Sequence, residues 1–465
     1  MSSNTLDETF RTATENKIIP GAVLVAINKS GTLNYAKAFG KTGVSPDAKP
    51  LTLDSTFWLA SCTKLLTTIA ALQCVERGLF SLDSPDDIAR LLPEIAAPEI
   101  LSFETTGTPV TAPAKNRITL RQLLTHTSGM AYEFMDPRLA AWRQTPAGSR
   151  AGAHDDEFMS QYLLPLLYEP GESWMYSMGL DWAGKLVERA NGGVTLETYM
   201  QQHIWDPLDM LDITFHLEKK TRVEQRRVEM TARIPESGLL ILDTKKNELA
   251  PEVVGYASGG GGLWGSAPEY LKVLASLLRD DGKLLGSATV AEMFKPQLSQ
   301  ASKDSWMQML HIPEANAAFT GNVNLGTEFS WGLGGMYSWE DLPGRRKKGS
   351  LAWGGLPNLF WWIDPAAGIA GLYASQVMPA GDTKSTELFE EFEKDIYKQA
   401  QVISESARSD TQFTVHEFTA YASASRSENY MPLHCLGCCG TFMAHSKVLQ
   451  SLVMITATFS KIGNK

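Results

Sequence analysis

The chain has few cysteines and no long apolar run, and both features narrow what it can be. Five of its 465 residues are cysteine, namely Cys62, Cys74, Cys435, Cys438 and Cys439. So few cysteines in a chain of this size exclude a small disulfide-stapled scaffold. The most apolar stretch, residues 448–459, contains several hydroxyl side chains and falls short of the roughly 18 residues that a membrane span needs. The sequence therefore predicts a soluble protein, long enough to bury a sizeable core.

Positive charge is also scarce. Lysine and arginine number 42 against 52 aspartate and glutamate residues, which gives a formal net charge of −10. The short block Arg345-Arg346-Lys347-Lys348 is too small to attract nucleic acid or an anionic membrane surface, so small molecules or proteins are the expected partners. Residues 1–8 are polar and acidic and lack the basic and then apolar pattern of a secretory signal. We therefore expect a cytoplasmic protein.

One cluster near the end of the chain contains residue types that bind zinc. Cys-x-x-Cys with nearby histidines can supply tetrahedral nitrogen and sulfur ligands. A second, properly spaced pair is missing, however, so we predict neither a metal nor a cofactor. The cluster consists of His434, Cys435, Cys438, Cys439 and His445.

The order of the predicted elements indicates one discontinuous α/β domain. Strand-like segments at both ends of the chain can complete a single antiparallel sheet flanked by terminal helices, with the largely helical middle as an insertion. One helix opens with Ser266 and Glu269 in the pattern of a capping box. The predicted strands are residues 21–27, 33–39, 329–339, 350–364 and 370–378, and the predicted helices are residues 8–16, 61–77, 120–124, 155–167, 180–190, 266–278 and 383–399.

The composition changes near residue 401. Beyond it, serine, alanine and threonine are frequent and no apolar periodicity is sustained, a texture typical of segments without a packed core. We predict a catalytic domain over residues 1–400 and an atypical, poorly ordered tail over residues 401–465, which either belongs to the functional protein or does not.

Ser61-Cys62-Thr63-Lys64 carries the strongest chemical signal. Residues three apart lie on one face of a helix, so Lys64 can reach the Ser61 hydroxyl. Serine needs such a neighbour to become a nucleophile, and a helix N-terminus favours the oxyanion that forms when serine attacks a carbonyl. The alternative is an N-cap serine followed by a lysine that faces solvent.

Tyr176 is the candidate general base. It lies in a turn-rich segment just before a predicted helix. Loop tyrosines usually serve packing, but a nearby cation lowers the pKa of a phenol and lets it accept a proton from serine. His126, in His126-Thr127-Ser128-Gly129, is a second candidate base, for which we favour a structural hydrogen-bonding role.

Two glycine-containing segments are further candidates for parts of the site. Trp353-Gly354-Gly355 interrupts a strand, which indicates that something approaches the backbone closely. A carbonyl substrate could lie there, with a backbone N–H forming half of an oxyanion hole. The run at residues 259–262 has no lysine after it, so we interpret it as a mobile or close-packed turn near the site and not as a phosphate cradle.

Together, Ser61-x-x-Lys64, Tyr176-Ser177-Met178 and Trp353-Gly354-Gly355 resemble, in order and spacing, the three motifs of the serine β-lactamase, penicillin-binding protein and class C-like esterase superfamily. The resemblance covers roughly residues 5–400. Longer stretches resemble more narrowly the fungal polyketide acyltransferases of the lovastatin side-chain transferase type. These stretches are residues 65–69, 71–78, 118–129 and 180–189.

The resemblance implies a β-lactamase-like fold and an enzyme that holds an acyl group on Ser61. The acyl group would come from a thioester and pass to a metabolite hydroxyl, with Tyr176 as base and Lys64 as its electrostatic partner. Met178 and Trp353 stand where β-lactamases carry asparagine and lysine, which makes antibiotic hydrolysis improbable. Trp353, Gly354 and Gly355 are the expected substrate-binding residues.

Several alternatives stay open at this stage. Water in place of an alcohol would make the chain an esterase, and a non-catalytic, ligand-binding member of the fold is the other class. An acyl carrier protein is a natural donor partner, which the basic block at residues 345–348 could contact. We favour instead a solvated loop at that block. Tryptophans and methionines such as Trp174, Trp306 and Trp331 would suit a large apolar acceptor, or they belong to the core.

Overall fold

The computed structural model describes residues 3–244 and 253–424. The chain separates into two compact units between Glu405 and Ser406, and the first contains every strand found among the described residues. The strands are β1 (Gly21–Asn28), β2 (Asn34–Gly40), β3 (Thr56–Trp58), β4 (Glu99–Phe103), β5 (Pro109–Pro113), β6 (Ile213–Thr214), β7 (Thr231–Arg233), β8 (Leu240–Leu242), β9 (Trp264–Ser266), β10 (Phe329–Trp331), β11 (Met336–Ser338), β12 (Leu351–Gly355), β13 (Leu359–Asp364), β14 (Ile369–Ala374) and β15 (Val377–Met378).

Helices occupy both ends of the described chain and most of its middle. They are α1 (Ser3–Glu15), α2 (Thr63–Glu76), α3 (Pro85–Leu91), α4 (Leu120–Leu124), α5 (Pro137–Arg143), α6 (Pro146–Gly152), α7 (Glu157–Tyr162), α8 (Gly179–Ala190), α9 (Leu196–Met200), α10 (Thr221–Glu224), α11 (Ala267–Arg279), α12 (Ser287–Met293), α13 (Gln300–Leu310), α14 (Pro313–Thr320) and α15 (Thr383–Ala424). Single 3-10 turns cover Ala60–Cys62, Pro93–Ile95, Glu133–Met135 and Leu217–Lys219, and a π turn covers Gln201–Trp205.

A seven-stranded antiparallel sheet joins the two ends of the chain. Its strand order is β10-β11-β12-β13-β14-β1-β2. Strand β1 pairs with β2 on one side and with β14 on the other. Val25 in β1 therefore lies opposite both Ala36 and Leu372. The first six residues of β1 are buried, because helices cover the sheet. The predicted α/β fold, with an antiparallel sheet, terminal helices and a helical insertion, is confirmed.

Helix α2 is the buried axis from which the site is built. Its first twelve residues, Thr63 through Cys74, are all buried, and it packs against α8. A helix that is apolar on all sides belongs in the interior of a large core. Lys64 lies in its first turn and is only 2% exposed, so the alternative in which this lysine faces solvent is wrong.

Several local predictions differ from the structure. The predicted strands at residues 329–339, 350–364 and 370–378 are each two strands, namely β10 and β11, β12 and β13, and β14 and β15. Helix α7 is shorter than the predicted residues 155–167, and α15 continues past Gln399 to Ala424. The capping box at α11 is absent, since the Ser266 side chain caps nothing. The Glu269 carboxylate instead accepts the N–H of Leu211 at 3.1 Å and pairs with Lys272. Local propensity cannot anticipate these tertiary partners.

Only half of the basic block at residues 345–348 is exposed, because Lys347 and Lys348 face solvent and the two arginines do not. Arg345 and Arg346 are buried, and both donate to Glu393, which is fully buried, at 2.5 and 2.9 Å. Burial opposes ionisation of Glu393, but the two guanidinium groups lower its pKa. A carrier-protein contact and a solvated loop are therefore both wrong for these arginines, because both form ion pairs with Glu393 inside the core. The predicted solvated loop fits Lys347 and Lys348, which are exposed.

Some predictions concern the end of the chain. The predicted tail begins inside α15, and the candidate zinc ligands at residues 434–445 lie outside the described residues. Within the ranges 3–244 and 253–424, no helix combines the length and apolar character needed to cross a bilayer.

Replacing Glu393 by alanine should destabilise the protein strongly. The change leaves two buried guanidinium groups without a counter-charge, so we expect the free energy of unfolding to fall by about 3–5 kcal/mol. Denaturant unfolding measures this loss. In the control, Glu387→Ala, an ion pair with Lys384 is lost in which both side chains are half-exposed, and the cost should stay below about 1 kcal/mol. Equal losses in both variants would contradict the buried triad.

Candidate active site

Ser61 lies on a strained turn at the entrance to α2. The 3-10 turn Ala60–Cys62 leads directly into the helix, and Ala60 adopts a φ of 45°. A residue other than glycine in the left-handed region is strained, and such strain persists only where the surroundings impose it. The turn presents the Ser61 hydroxyl beside the first turn of a 14-residue helix, whose N-terminus favours negative charge.

Lys64 forms hydrogen bonds with three different segments of the chain. Its Nζ donates to the Ser61 hydroxyl at 3.3 Å, to the Tyr132 hydroxyl at 3.3 Å and to the Gly260 carbonyl at 2.7 Å. A protonated amine has three N–H donors and no acceptor. The three acceptors around Nζ therefore match in number the three donors of an ammonium group.

Tyr176 contacts the same serine from another side. Its hydroxyl donates to the Ser61 hydroxyl oxygen at 2.6 Å, while Lys64 Nζ lies 4.5 Å from the centre of its ring. This distance is that of a cation–π contact between the lysine and the phenol ring. The structure thus brings together all three residues that the sequence singles out for catalysis.

His126 supports the segment that carries Tyr176. Its Nδ1 accepts the main-chain N–H of Ser177 at 3.2 Å, and its carbonyl accepts the N–H of Met175 at 3.0 Å. Burial and the charge of Lys64 lower the pKa of this histidine well below its usual value. His126 is therefore a neutral acceptor that bonds to the main chain on both sides of Tyr176, in keeping with a structural role.

Two residues of the site, Tyr132 and Asp181, were not predicted from the sequence. Asp181 is 1% exposed in the first turn of α8, and its Oδ2 accepts the Tyr132 hydroxyl at 3.0 Å. Desolvation and the negative charge of Asp181 raise the pKa of Tyr132 well above its usual value, so Tyr132 keeps its proton. The sequence does contain one indication of Asp181, an acidic residue within the apolar run Leu180-Asp181-Trp182-Ala183. Such a position predicts a buried carboxylate, which needs hydrogen-bond partners in the core.

The glycine turn at residues 259–262 closes the site against α2 and α8. The Gly259 carbonyl accepts the Thr67 hydroxyl at 2.7 Å, and the Gly260 N–H donates to Asp181 Oδ1 at 2.9 Å. A Cβ on Gly260 would lie 2.3 Å from Asp181 Oδ2 and 2.5 Å from the Tyr132 hydroxyl oxygen. Of the two forms predicted for this turn, the structure shows the close-packed one.

Trp353-Gly354-Gly355 lies at the end of β12, against the turn that carries Ser61. A Cβ on Gly355 would be 2.5 Å from the Leu59 carbonyl oxygen, and one on Gly354 would be 2.3 Å from that of Leu359. The close approach that the sequence indicates is therefore made by the chain's own backbone, where we expected a substrate.

An aromatic cluster adjoins Tyr176. The rings of Tyr176 and Trp353 are 5.5 Å apart, and Trp353 stacks on Phe319 at 5.3 Å. Trp174, Trp306 and Trp331 extend the same cluster and are all buried. These side chains give the Tyr176 ring a rigid apolar wall.

Comparison with known proteins gives consistent matches. A family model described as beta-lactamase matches residues 6–391. Monacolin J acid methylbutanoyltransferase of Aspergillus terreus is 40% identical over 404 residues, which cover 85% of this chain and 96% of the relative. Lovastatin esterase of Penicillium rubens is 37% identical over 85% of this chain and 98% of the relative.

Solved structures match as well. Simvastatin synthase from Aspergillus terreus, in its unliganded form, superposes with a TM-score of 0.80 at 39% identity, over 86% of this chain and 98% of that one. The sequence resemblance to the β-lactamase superfamily and to fungal acyltransferases is therefore confirmed.

Alanine at Gly260 should destabilise the protein, whereas alanine at Gly261 should not. At Gly260 the added methyl group collides with Asp181 and Tyr132, and overpacking of this kind costs about 1–3 kcal/mol. At Gly261 the nearest atom to a new Cβ, the Ala60 carbonyl carbon, is 3.9 Å away, an ordinary contact. Denaturant unfolding of the two variants checks this difference, and equal free energies of unfolding would contradict the packing described for the turn.

Proposed function

The chain belongs to the beta-lactamase family, and from this premise we propose that it is a serine acyltransferase of secondary metabolism. It moves an acyl group from a thioester donor through Ser61 to a hydroxyl of a polyketide-type metabolite. The observation that carries the proposal is the hydrogen-bonded set of Ser61, Lys64 and Tyr176. Relatives with the names of acyltransferases support the direction of the reaction.

In the first half-reaction, the Ser61 oxygen attacks the thioester carbonyl. Its proton moves to the phenolate oxygen of Tyr176, which is already within hydrogen-bonding distance. The C–S bond then breaks, Tyr176 returns the proton to the departing sulfur, and the acyl group remains on Ser61 as an ester. In the second half-reaction, Tyr176 takes the proton of the acceptor hydroxyl, whose oxygen attacks the ester. The bond from the carbonyl carbon to the Ser61 oxygen breaks, and Tyr176 returns the proton to that oxygen.

Tyr176 suits the role of base better than the second tyrosine beside Lys64. Tyr132 is held in its protonated form by desolvation and by Asp181, which raise its pKa. Tyr176 faces the Lys64 ammonium and the Ser61 hydroxyl. The cation stabilises the phenolate during proton transfer, and Lys64 thus acts by charge and by position.

We assign the stabilisation of the oxyanion to the backbone at Ser61 and at the end of β12. The N-terminus of α2 supplies a favourable dipole at Ser61. Gly355 lies against the carbonyl of Leu59, two residues before the nucleophile. Trp353 and its aromatic neighbours then form an apolar wall for the substrate, and backbone N–H groups aimed at a developing oxyanion commonly supply a large part of catalysis.

Hydrolysis of small esters by the same acyl-enzyme is the second candidate. The relative named lovastatin esterase, at 37% identity, favours it specifically. The two reactions share every step up to acyl-Ser61 and differ in whether an alcohol or water attacks. A site that orients a hydroxyl and excludes water favours transfer.

The remaining parts of the proposal concern boundaries, partners and location. We propose residues 1–400 as the catalytic domain, which includes the segment that the family model matches, and residues 401–465 as an addition outside it. An acyl carrier protein is the proposed source of the thioester, and a small-molecule alcohol is the acceptor. The cytoplasm, where both would be available, is the proposed location.

Incubation with a short acyl thioester of N-acetylcysteamine should acylate Ser61. Intact-protein mass spectrometry should detect a mass increase of one acyl group in the wild type and none in Ser61→Ala. A chase with monacolin J acid, the compound in the name of the Aspergillus relative, or with buffer alone then separates transfer from hydrolysis. If the wild type forms no adduct and releases neither free acid nor acylated product, the proposed function is wrong.

Tyr176→Phe should slow acylation of Ser61 by about 10²–10⁴-fold, the usual contribution of a general base. The substitution keeps the ring and its packing, so stability should change little. Tyr199→Phe is the matched control, because Tyr199 is also buried and its hydroxyl accepts from the Cys74 thiol instead. Quench-flow acylation rates for both variants measure the difference. An acylation rate near that of the wild type in Tyr176→Phe would assign the base to another group.

A further inference from the structure

Asp181 is a buried carboxylate to which the mechanism above gives no part. Its two oxygens accept three hydrogen bonds from neutral donors. Oδ1 accepts from the Ser258 hydroxyl at 2.6 Å and from the Gly260 N–H at 2.9 Å, and Oδ2 accepts from the Tyr132 hydroxyl at 3.0 Å. A buried negative charge is costly and needs compensation from its surroundings.

Two of these three donors also contact Lys64. The Tyr132 hydroxyl donates to Asp181 and accepts from Lys64 Nζ. Gly260 donates its N–H to Asp181 and accepts from Nζ with its carbonyl. Two bridges, each one residue long, therefore connect the carboxylate to the ammonium. Hydrogen bonds in such chains polarise one another in the same direction.

Apart from Tyr176, which the proposed mechanism uses as the base, the other titratable groups around the pair are neutral. Burial and Asp181 raise the pKa of Tyr162, and they raise that of Tyr256 as well. On the side of Lys64, burial lowers the pKa of His126 and raises that of Cys62. Among these described neighbours, Asp181 is the negative charge that can balance the Lys64 ammonium.

We propose that Asp181 is a positioning residue that holds the Lys64 ammonium against Ser61 through Tyr132 and through the main chain of Gly260. The inference rests on the proposed function, because Ser61 is the group that Lys64 serves. Its consequence has a definite sign. Without the carboxylate, the ammonium is less favoured over the amine and loses its proton at lower pH. The alkaline limb of the reactivity of Ser61 then moves to lower pH.

The test compares Asp181→Asn and Tyr132→Phe with wild type, using an alkyl fluorophosphonate over a range of pH. This reagent labels activated serines whatever their natural substrate. The Ser61 oxygen bonds to phosphorus, fluoride leaves and the hydroxyl proton passes to Tyr176. The matched controls are Asp364→Asn and Tyr397→Phe, because Asp364 is also fully buried and also accepts a tyrosine hydroxyl, at 2.8 Å.

Labelling by Asp181→Asn should be slower by about tenfold to 100-fold, the loss typical when a group that orients a functional residue is removed. Its alkaline limb should move to lower pH. Tyr132→Phe, which removes one bridge and keeps the carboxylate, should show a smaller change of the same sign. It also keeps the inference testable should Asp181→Asn fail to fold. The controls should label at wild-type rates.

Wild-type rates and an unshifted pH profile in Asp181→Asn and Tyr132→Phe would overturn the inference. So would equal losses in the Asp364 and Tyr397 controls, or a wild-type Ser61 that the fluorophosphonate does not label. Failure of the proposed function has a different signature, since the wild type would then react with the fluorophosphonate but not with the acyl thioester.

Discussion

The candidate site depends on one buried ammonium. Lys64 holds the turn with Ser61, the loop with Tyr132 and the glycine turn at Gly260 in contact, and each of the three accepts one of its hydrogen bonds. A buried charge is tolerated only when every donor is satisfied and a counter-charge is near. The three acceptors and Asp181 meet both conditions. A change at any of these segments therefore acts on the nucleophile through Lys64.

The fold supplies the rigidity that this arrangement needs. Helix α2 is buried on all sides, so the spacing between Ser61 and Lys64 cannot relax. At the end of β12, Gly355 packs so closely against the Leu59 carbonyl that a side chain would not fit. His126 fixes the backbone on both sides of Tyr176. A general base must stay within hydrogen-bonding reach of the proton it removes, and these contacts keep it there.

The parts of the structure that follow from local patterns were accessible from the sequence. Ser61 and Lys64 share a helical turn, and the strand pattern at both ends predicts the sheet. Tyr132 and Asp181 gave no comparable signal, because they are 49 residues apart in the chain and meet only when α8 packs beside the glycine turn. The same limit explains the error at residues 345–348. No local pattern marks Arg345 and Arg346 as buried, because their partner in the core, Glu393, lies 48 residues beyond Arg345.

The central claim is that Lys64 is an ammonium which donates all three protons, so that the proton of Ser61 must go to Tyr176. Nuclear magnetic resonance of protein labelled with ¹⁵N at lysine Nζ measures this protonation state directly, and Lys64→Met assigns the signal. We predict an NH₃⁺ signal for Lys64 at neutral pH, shielded from exchange with water by its buried position. A neutral amine signal under the same conditions would contradict the account and make Lys64 itself the base.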